Sequence, residues 1–573
     1  MPRKGAFMKL AIRCEKDLII ERTFKILNRH LTKRGCPNVE LSGGGQADLI
    51  WEVDASCPEE GFSIADLPDG AVRIKGGSSC GILYGVGKML HTASFAEGKF
   101  HIGGWRGISS PRKPERIVYL ATHFHNYYHV APLEEIAEYL EDLALWGYNR
   151  LMMWVDKHHF NGPNDPAVIA FVDRIRKLYS LGRSIGMKTI VGGLANEGYA
   201  NTPKKLVATY PGRSFYYCEV CPSTPEGMEL ILKNHHDTID WFKDLDVAGI
   251  FLGSYDQGGC ACPKCAPWGC NGMLSTGGKV VELYRSYFPR GKAVYFTWLF
   301  DYCGEKEWEG LARKMADGDG EWIDYIMGDS HDDFPRFPLE HGVPGKRPLL
   351  NFPEISMWGM HPWGGLGANP LPNRFRRLWG QVAHLSGGGM PYSEGIYEDF
   401  NKILYANFYW NGNNEIDEAV REYCNFEFGC ADPQRFMAAI EILEKNHVTD
   451  YNYATTVNKY PEYVALGLKP IKARPGLMGR KVYQADPRIA YDICEAIDRQ
   501  IPQWGRQSWR WRILLLRSLI DYRLQVNDLE IDEKTDVAFE ELAKIFHSNG
   551  VAEYKVSPIT HESAAANRSS AAV

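Results

Sequence analysis

A strand-then-helix alternation, repeated about eight times, most constrains how this 573-residue chain can fold. It begins near Arg116, where the apolar segment "RIVYLATHFH" precedes "PLEEIAEYLEDLALWG", and it continues to about residue 401. Continuous apolar strands that alternate with amphipathic helices are typical of a parallel sheet covered on its faces. Eight such units predict a closed (β/α)8 TIM barrel in the α/β class, with a doubly wound open sheet as the alternative.

The segments on either side of this alternation have other patterns. Residues 1–110 mix strand-like and helix-like stretches and predict a small α+β domain, in which "PDG" forms the turn of a hairpin. The catalytic barrel is assigned to residues 111–401. Beyond it the strand pattern stops while helical periodicity continues, which predicts an α-helical C-terminal domain over 402–560. The small and polar residues 561–573 are predicted to be a disordered tail.

Composition and motifs exclude several classes of function. Lys and Arg total 65 and Asp and Glu total 71, a net charge of -6 without long runs of one sign, so neither nucleic acid nor a membrane surface is an expected partner. No stretch approaches the roughly 18 apolar residues of a membrane span, and the N-terminus lacks a signal-peptide pattern, so we expect a cytoplasmic protein. The absence of GxGxxG after a strand, of a P-loop and of a nucleophile elbow excludes the common dehydrogenases, NTPases and α/β-hydrolases. A small-molecule partner is expected.

Carboxylates recur at the ends of the predicted barrel strands. A TIM barrel carries its catalytic groups there, so these side chains are expected to converge on one mouth. Repulsion among them raises some of their pKa values, as general acid catalysis requires, and the alternative for each is a helix cap or a partner of arginine. Glycoside hydrolysis needs two carboxylic groups that flank the scissile bond. The acidic residues at these strand ends are Asp156, Glu197, Asp256, Asp301, Asp329, Glu354, Glu394 and Asp399.

Histidines and aromatic residues add further groups to the same loops. The segments "THFHNYYH" and "DKHHF", after strands one and two, contain five histidines that can bond sugar hydroxyls or bind a metal, although their spacing differs from a helical HExxH zinc site. Lys157 and Arg336 are basic groups for a uronic acid, and the 16 Trp and 30 Tyr residues suit sugar-ring surfaces. The predicted substrate-binding residues are His123, His125, Trp154, Lys157, His158, Glu197, Trp298, Asp301, Trp358 and Glu394.

Cysteines form a separate cluster in the predicted barrel loops. "CEVC" and "CPKC" are two CxxC pairs whose loops are neighbours on a barrel, and this is the spacing of a structural tetrahedral zinc site. Cys260 and Cys270 are spare candidates, and free thiols in a glycine-rich loop are the alternative. Zinc would pin the loop of Asp256, and no cofactor is expected for catalysis itself. The predicted zinc ligands are Cys218, Cys221, Cys262 and Cys265.

The order of these units resembles the α-glucuronidase-like glycoside hydrolases of family 67 and the related family 115, within the larger group that includes the β-hexosaminidases. "GFSIADLPDGAVRIKGGSSCGILYGVGKML" is similar to their small N-terminal domain. "ILYANFYWNGNNEIDEAVREYCNFEFG" is similar to the start of the helical domain of family 67. The resemblance covers nearly the whole chain and implies a small α+β domain, a catalytic barrel and a helical domain in that order.

The resemblance also implies catalytic roles. Family 67 has a Glu as general acid after strand four, where this chain has Asp256, shorter by one methylene. The two carboxylates that family 67 places around the attacking water follow strands six and seven, and Asp329 and Glu354 match them. The resemblance thus implies an inverting mechanism without a covalent intermediate. The β-hexosaminidases have an adjacent Asp-Glu pair after strand four, whereas Asp256 is followed by Gln257, which makes their chemistry the weaker match.

These observations predict an exo-acting glycoside hydrolase that removes a terminal sugar, with a uronic acid such as an α-glucuronide favoured, through the catalytic residues Asp256, Asp329 and Glu354. Three alternatives stay open: a β-N-acetylhexosaminidase-like hydrolase, a non-catalytic carbohydrate-binding barrel, and a metal-dependent isomerase or lyase that uses Glu197, Asp256 and the histidines. A homodimer through the helical domain is a further alternative, because "SWRWRILLLRSLIDYRL" has an apolar face interrupted by arginines.

Overall fold

A computed structural model describes most of the chain, and the structural statements below refer to the residues it describes. These are residues 8–43, 45–96, 98–122, 127–209, 217–255, 258–303, 306–330, 333–355, 368–393, 395–447, 484–527 and 532–547. Among the helices in these ranges, none combines the length and the apolar character needed to cross a bilayer.

The N-terminal region is a mixed sheet with two helices. Its elements are β1 Lys9–Arg13, α1 Leu18–Lys33, β2 Glu40–Leu41, β3 Leu49–Val53, β4 Phe62–Asp66, β5 Val72–Gly76, α2 Ser79–His91, β6 Ser94–Ala96, β7 Lys99–His101 and β8 Gly107–Ser109. The main sheet has the order β2-β1-β3-β5-β4-β8, and β6 pairs with β7. β4 and β5 form the hairpin predicted around "PDG", where Gly70 has a φ of +87° that favours glycine.

Eight parallel strands close into a barrel. They are β9 Glu115–Leu120, β10 Arg150–Met153, β11 Lys188–Leu194, β12 Val247–Gly253, β13 Lys292–Phe296, β14 Tyr325–Ser330, β15 Leu349–Pro353 and β16 Ser386–Gly389. Each strand pairs with the next in sequence, and the pairing of Gly388 with Glu115 closes the ring between β16 and β9. The predicted TIM barrel is therefore confirmed, and the alternative of an open doubly wound sheet is wrong.

Helices follow the barrel strands along the chain. They are α3 Tyr127–Val130, α4 Leu133–Leu145, α5 Pro166–Ser184, α6 Pro225–Phe242, α7 Leu274–Tyr287, α8 Phe300–Cys303, α9 Glu307–Ala316, α10 Arg336–His341, α11 Pro372–Val382 and α12 Asp399–Asn411. Local sequence sets several of their starts. The side chains of Asp165 and Thr224 accept hydrogen bonds from backbone N–H groups in the first turns of α5 and α6, and each is followed by a proline at the first helical position.

Apolar side chains fill the interior of the barrel. Successive residues of a strand point to opposite faces, so alternate residues such as Leu350 and Phe352 of β15 face inward. The rings of Phe296 and Phe352 meet across the interior with centroids 4.5 Å apart. The barrel is a packed core, as in other TIM barrels, which leaves the strand ends as the place for polar groups that meet a ligand.

The C-terminal region is helical in the ranges described. Its helices are α13 Asp417–Tyr423, α14 Pro433–Lys445, α15 Pro487–Asp498, α16 Gln503–Arg506, α17 Trp509–Val526 and α18 Glu533–His547. Arg510 of α17 is buried, and its guanidinium lies 3.2 Å from Asp142 of α4, 2.9 Å from Asp399 of α12 and 3.3 Å from Glu427. Asp399, a strand-end carboxylate in the sequence, is thus held in an ion-pair network that joins the helical region to the barrel.

Candidate active site at the carboxyl ends of the barrel strands

Two carboxylates face inward from neighbouring barrel strands. Asp329 is the second-to-last residue of β14, and Glu354 directly follows β15. Met327 and Phe352 belong to the interior cluster, so the alternation of side chains places Asp329 and Glu354 on the same inner face. The strand register pairs Asp329 with Phe352, so Glu354 lies two residues further along, closer to the mouth. Both are buried, with 5% and 1% of their surface exposed. Both carboxylates therefore lie at the end of the barrel where TIM-barrel enzymes carry their catalytic groups.

Aromatic rings lie beside these carboxylates, since the strand pairing puts Phe352 level with Asp329 and Tyr392 level with Glu354. The Tyr392 ring lies 5.5 Å from the rings of both Tyr119 and Phe352, measured between centroids. Trp298, at the end of β13, packs edge-on against Phe352 at 5.8 Å and is only partly buried. A group of rings with one partly exposed indole suits stacking against the apolar face of a sugar ring.

Glu197, Lys157 and Trp154 are bonded to one another at the ends of β10 and β11. Glu197 accepts a hydrogen bond of 2.7 Å from the indole N–H of Trp154 through Oε1. Its Oε2 lies 2.8 Å from Nζ of Lys157, which also donates to Oγ1 of Thr238 at 2.7 Å. Glu197 and Lys157 are almost completely buried. The two opposite charges therefore compensate each other inside the protein, and Glu197 holds the indole of Trp154 in place.

A second cluster beside β10 contains the buried Asp156, His158 and Glu219 and the partly buried His159. His158 contacts Asp156 through Nε2, and its Nδ1 lies 3.6 Å from Oε1 of Glu219. His159 Nε2 lies 3.2 Å from Oδ2 of Asp156. Burial opposes the imidazolium, but Asp156 and Glu219 outweigh it and raise the pKa of His158. Burial likewise opposes the charge of Asp156, but the two histidines outweigh it and lower the pKa of Asp156, which makes this carboxylate a poor general acid.

The other predicted site residues are dispersed or lie outside the described ranges. Asp301 is exposed in the first turn of α8. Arg336, considered for uronic acid binding, is exposed and pairs with Glu340 of its own helix at 2.7 Å. Residues outside the described ranges are His123, His125, Asp256, Trp358 and Glu394.

Four cysteine sulfurs converge next to the barrel mouth. Cys221, Cys260, Cys262 and Cys265 each offer a sulfur, and these four atoms lie within 4.8 Å of one another. The Sγ of Cys221 is 3.7 Å from that of Cys262 and 3.5 Å from that of Cys260. A hydrogen bond from the thiol of Cys265 is the largest cause that lowers the pKa of Cys260 to about 5. The cluster is a set of soft ligands with room for one ion.

This set differs from the predicted one, because Cys260 takes the place assigned to Cys218. The Cys218 thiol instead lies 3.7 Å from the carbonyl oxygen of Gly198. The reason is local backbone shape. Val220 forms an antiparallel bridge with Val207, and residues three apart in extended backbone point to opposite sides, so Cys218 and Cys221 diverge. "CPKC" is a turn closed by a 2.9 Å bond from the N–H of Cys265 to the carbonyl of Cys262, which brings its two thiols together.

Asn196 is a site-supporting residue that sequence reasoning missed. Its Nδ2 donates to the carbonyl oxygens of Val220 and Gly259 at 3.0 Å each, and its Oδ1 accepts from the N–H of Gly259 at 3.1 Å. It is fully buried. One amide at the end of strand three thus holds both cysteine-bearing loops. Its position beside Glu197 was a signal, but an amide at a strand end carries no chemistry that distinguishes it in sequence.

Neither a protein-family model nor a curated protein matches this sequence. Solved structures do match it. A family 115 4-O-methyl-α-glucuronidase with specificity for decorated arabinogalactans superposes with a TM-score of 0.60 at 12% identity, over 94% of this chain and 76% of that one. A family 89 enzyme from Clostridium perfringens, in complex with its substrate GlcNAc-α-1,4-galactose, has a TM-score of 0.60 at 14% identity, over 90% of this chain and 64% of that one.

A family 138 enzyme that targets pectin rhamnogalacturonan II extends the comparison. Its TM-score is 0.54 at 10% identity, over 98% of this chain and 73% of that one. At these identities the likeness shows a common fold, and most of this chain takes part in it. The resemblance to the α-glucuronidase-like glycoside hydrolases is confirmed at the level of that fold.

Proposed function

We propose that this protein is a glycoside hydrolase whose active site is the mouth of the barrel. The observation that carries the proposal is the pair Asp329 and Glu354, which lie at the ends of adjacent strands and share the inner face with a group of aromatic rings. Hydrolysis of a glycosidic bond needs one carboxylic group for the attacking water and another for the leaving group. Asp329 and Glu354 are the groups proposed for the water, and Asp256 is the group proposed for the leaving group. The shared fold with glycoside hydrolases of families 115, 89 and 138 supports the same reaction class.

In the proposed mechanism, Asp329 and Glu354 act on the attacking water and Asp256 acts on the leaving group. The base removes a proton from water as its oxygen attacks the anomeric carbon, and the acid protonates the glycosidic oxygen as the bond to that carbon breaks. Asp256 follows β12 in the sequence, and β12 is two strands away from β14 around the barrel, so the acid is proposed at a different strand end from the base. This division of roles gives an inverted product without a covalent intermediate.

Within this class we favour an exo-acting enzyme for a terminal uronic acid such as an α-glucuronide. The support is the resemblance to families 67 and 115 and the α-glucuronidase among the structural neighbours. Lys157 is already paired with Glu197, so recognition of a uronate carboxylate falls to other groups than this lysine. Buried polar groups that pair with a substrate carboxylate would reject neutral sugars, which makes the substrate panel informative.

The proposal is tested with aryl glycosides that include α- and β-glucuronides, galacturonides, neutral hexosides and N-acetylhexosaminides. We expect release of the aryl group from one class, loss of that activity in Asp329→Asn and Glu354→Gln, and the inverted anomer as first product by NMR. Asp333→Asn is the matched control, because Asp333 is an exposed carboxylate just beyond Asp329 that pairs with Arg377. Sugar binding without turnover would instead support the non-catalytic carbohydrate-binding barrel.

A further inference from the structure

We propose that Cys221, Cys260, Cys262 and Cys265 form a structural zinc site that fastens the loop after barrel strand three to the loop after strand four. The proposal is independent of the glycosidase activity, since it concerns a metal held outside the catalytic carboxylates. It changes the ligand set expected from sequence, with Cys260 in place of Cys218. The ligand set and the metal are therefore both open to measurement.

The spacing of the sulfurs fits one tetrahedral ion. With Zn–S bonds of about 2.3 Å, the edges of a tetrahedron of sulfurs are about 3.8 Å long. The observed distances from the Sγ of Cys221 are 3.7 Å to Cys262 and 3.5 Å to Cys260, and the largest separation within the four is below 4.8 Å. A disulfide would need a sulfur separation near 2 Å, so the four thiols are arranged around a centre rather than in bonded pairs.

The chemistry of the donors selects the metal. All four are sulfurs, and thiolate ligands in tetrahedral geometry favour zinc over the oxygen-seeking cations Mg²⁺ and Ca²⁺. Cys260 and Cys265 are buried, while Cys221 and Cys262 are partly buried, so the site is closed on most sides. Four protein ligands leave no open position for a substrate, which is the arrangement of structural rather than catalytic zinc.

The backbone around the sulfurs is already held in place. The N–H groups of Cys265 and Ala266 both bond to the carbonyl of Cys262, at 2.9 and 3.0 Å, which forms the turn that presents two thiols. The N–H of Cys221 bonds to the carbonyl of Leu206 at 2.8 Å, and Asn196 joins the two loops from below. A metal on this frame binds without much loss of chain entropy, which strengthens its affinity.

The position of the site gives it a consequence for catalysis. Cys260 comes four residues after Asp256 in the sequence, on the stretch that leaves β12. A zinc–sulfur bond at Cys260 would add to the Asn196 hydrogen bonds that already hold Gly259. This consequence rests on the proposed function, in which Asp256 is the general acid: the metal would hold the residues that follow Asp256 without touching the substrate.

The first test is metal analysis of the full-length protein purified without chelator. We expect about one zinc per chain, and less than about 0.1 equivalent in Cys260→Ser and in Cys262→Ser, because structural sites hold zinc tightly and need all four thiolates. Cys218→Ser is the matched control and should keep its zinc. The expected contrast between Cys218→Ser and Cys260→Ser separates the structural ligand set from the set read from CxxC spacing.

Two results would overturn the proposal. One is wild-type protein that holds no zinc after reduction and reconstitution with excess zinc salt. The other is a Cys218→Ser variant that loses zinc while Cys260→Ser keeps it. If the serine variants do not fold, the absorption spectrum of wild-type protein with Co²⁺ in place of zinc is the deciding measurement. Four thiolates give an intense sulfur-to-cobalt charge-transfer band together with tetrahedral d–d bands. Absence of these bands would refute the site. Zinc content is measured whether or not any glycoside is cleaved, so failure of the two proposals is distinguishable.

Discussion

Nζ of Lys157 lies 2.8 Å from Oε2 of Glu197, with both side chains buried at the mouth of the barrel. Glu197 also accepts the indole N–H of Trp154 at 2.7 Å. In the sequence Glu197 resembles any other strand-end carboxylate, but in the structure its charge is paired with the ammonium group of Lys157. A carboxylate held by these two contacts has a fixed position, in which it orients the indole of Trp154.

Removal of Lys157 should therefore destabilise the protein. We expect Lys157→Met to cost about 3–5 kcal/mol, because it leaves the charge of Glu197 buried without a partner. The double variant Lys157→Met with Glu197→Leu should recover most of that loss, since no unpaired charge then remains. Denaturant midpoints of the wild type, both single variants and the double variant measure the effect. Equal midpoints for wild type and Lys157→Met would contradict a buried pair.

Substitution of the inward carboxylates should abolish turnover and leave the fold intact. We expect kcat to fall about 10²–10⁴-fold in Asp329→Asn and in Glu354→Gln, which is the usual contribution of a general acid or base. Both replacements keep the side-chain shape, so thermal melting by circular dichroism should change little. Asp333→Asn, on the exposed side of the same loop, should retain wild-type kcat. Wild-type rates in both catalytic variants would remove Asp329 and Glu354 from the mechanism.

The partly exposed indole of Trp298 should contribute to sugar binding. It stacks on Phe296 with centroids 5.8 Å apart and an interplanar angle of 22°, which presents an aromatic face at the mouth. An aromatic contact of this kind is worth about 0.5–1.5 kcal/mol, so Trp298→Ala should lower kcat/KM roughly 2- to 10-fold. Trp298→Phe should recover part of the loss. If kcat/KM for the cleaved glycoside is the same in Trp298→Ala, the indole does not meet the sugar.

Buried neutral histidines should make the protein less stable in acid. Burial, and to a lesser degree the nearby charge of Lys157, lowers the pKa of His235 to about 3. The unfolded chain binds a proton at this histidine below about pH 6.5 and the folded chain does not, so stability is full above that pH and decreases as the pH falls toward 3.

His235→Gln should reduce this pH dependence. Each such histidine contributes a slope of about 1.4 kcal/mol per pH unit between pH 6 and 4, and the glutamine amide can still donate to the carbonyl of Ala195, 3.2 Å from the imidazole. The unfolding free energies of the wild type and the variant, measured across pH 4.5–7.5, give the difference. The values near pH 7.5 are the internal reference, because the histidine is neutral there in both states. Parallel curves would show that His235 is protonated in the folded protein.

Much of the architecture was predictable because its signals are local. A strand such as β12 is a continuous apolar run, and a helix such as α5 begins at a capping Asp165 followed by proline, so each unit is encoded in a short stretch. Eight repeats of such a unit have few ways to bury their faces, and closure into a barrel is one of them. The same logic placed Asp329 and Glu354 at the strand ends, where the structure has them.

The partners of the polar groups were decided by tertiary structure. Glu197 meets Lys157 across two strands, and Cys260 meets Cys221 across two loops separated by the whole of α6. Such pairings depend on loop paths and on whether a CxxC is a turn or an extended strand, and spacing along the chain does not report either. The sequence by itself therefore determined the barrel and the set of candidate groups. Only the packing of neighbouring strand ends decided which carboxylates are neutralised, which face the mouth and which cysteines converge, because those outcomes depend on distances between residues far apart in the chain.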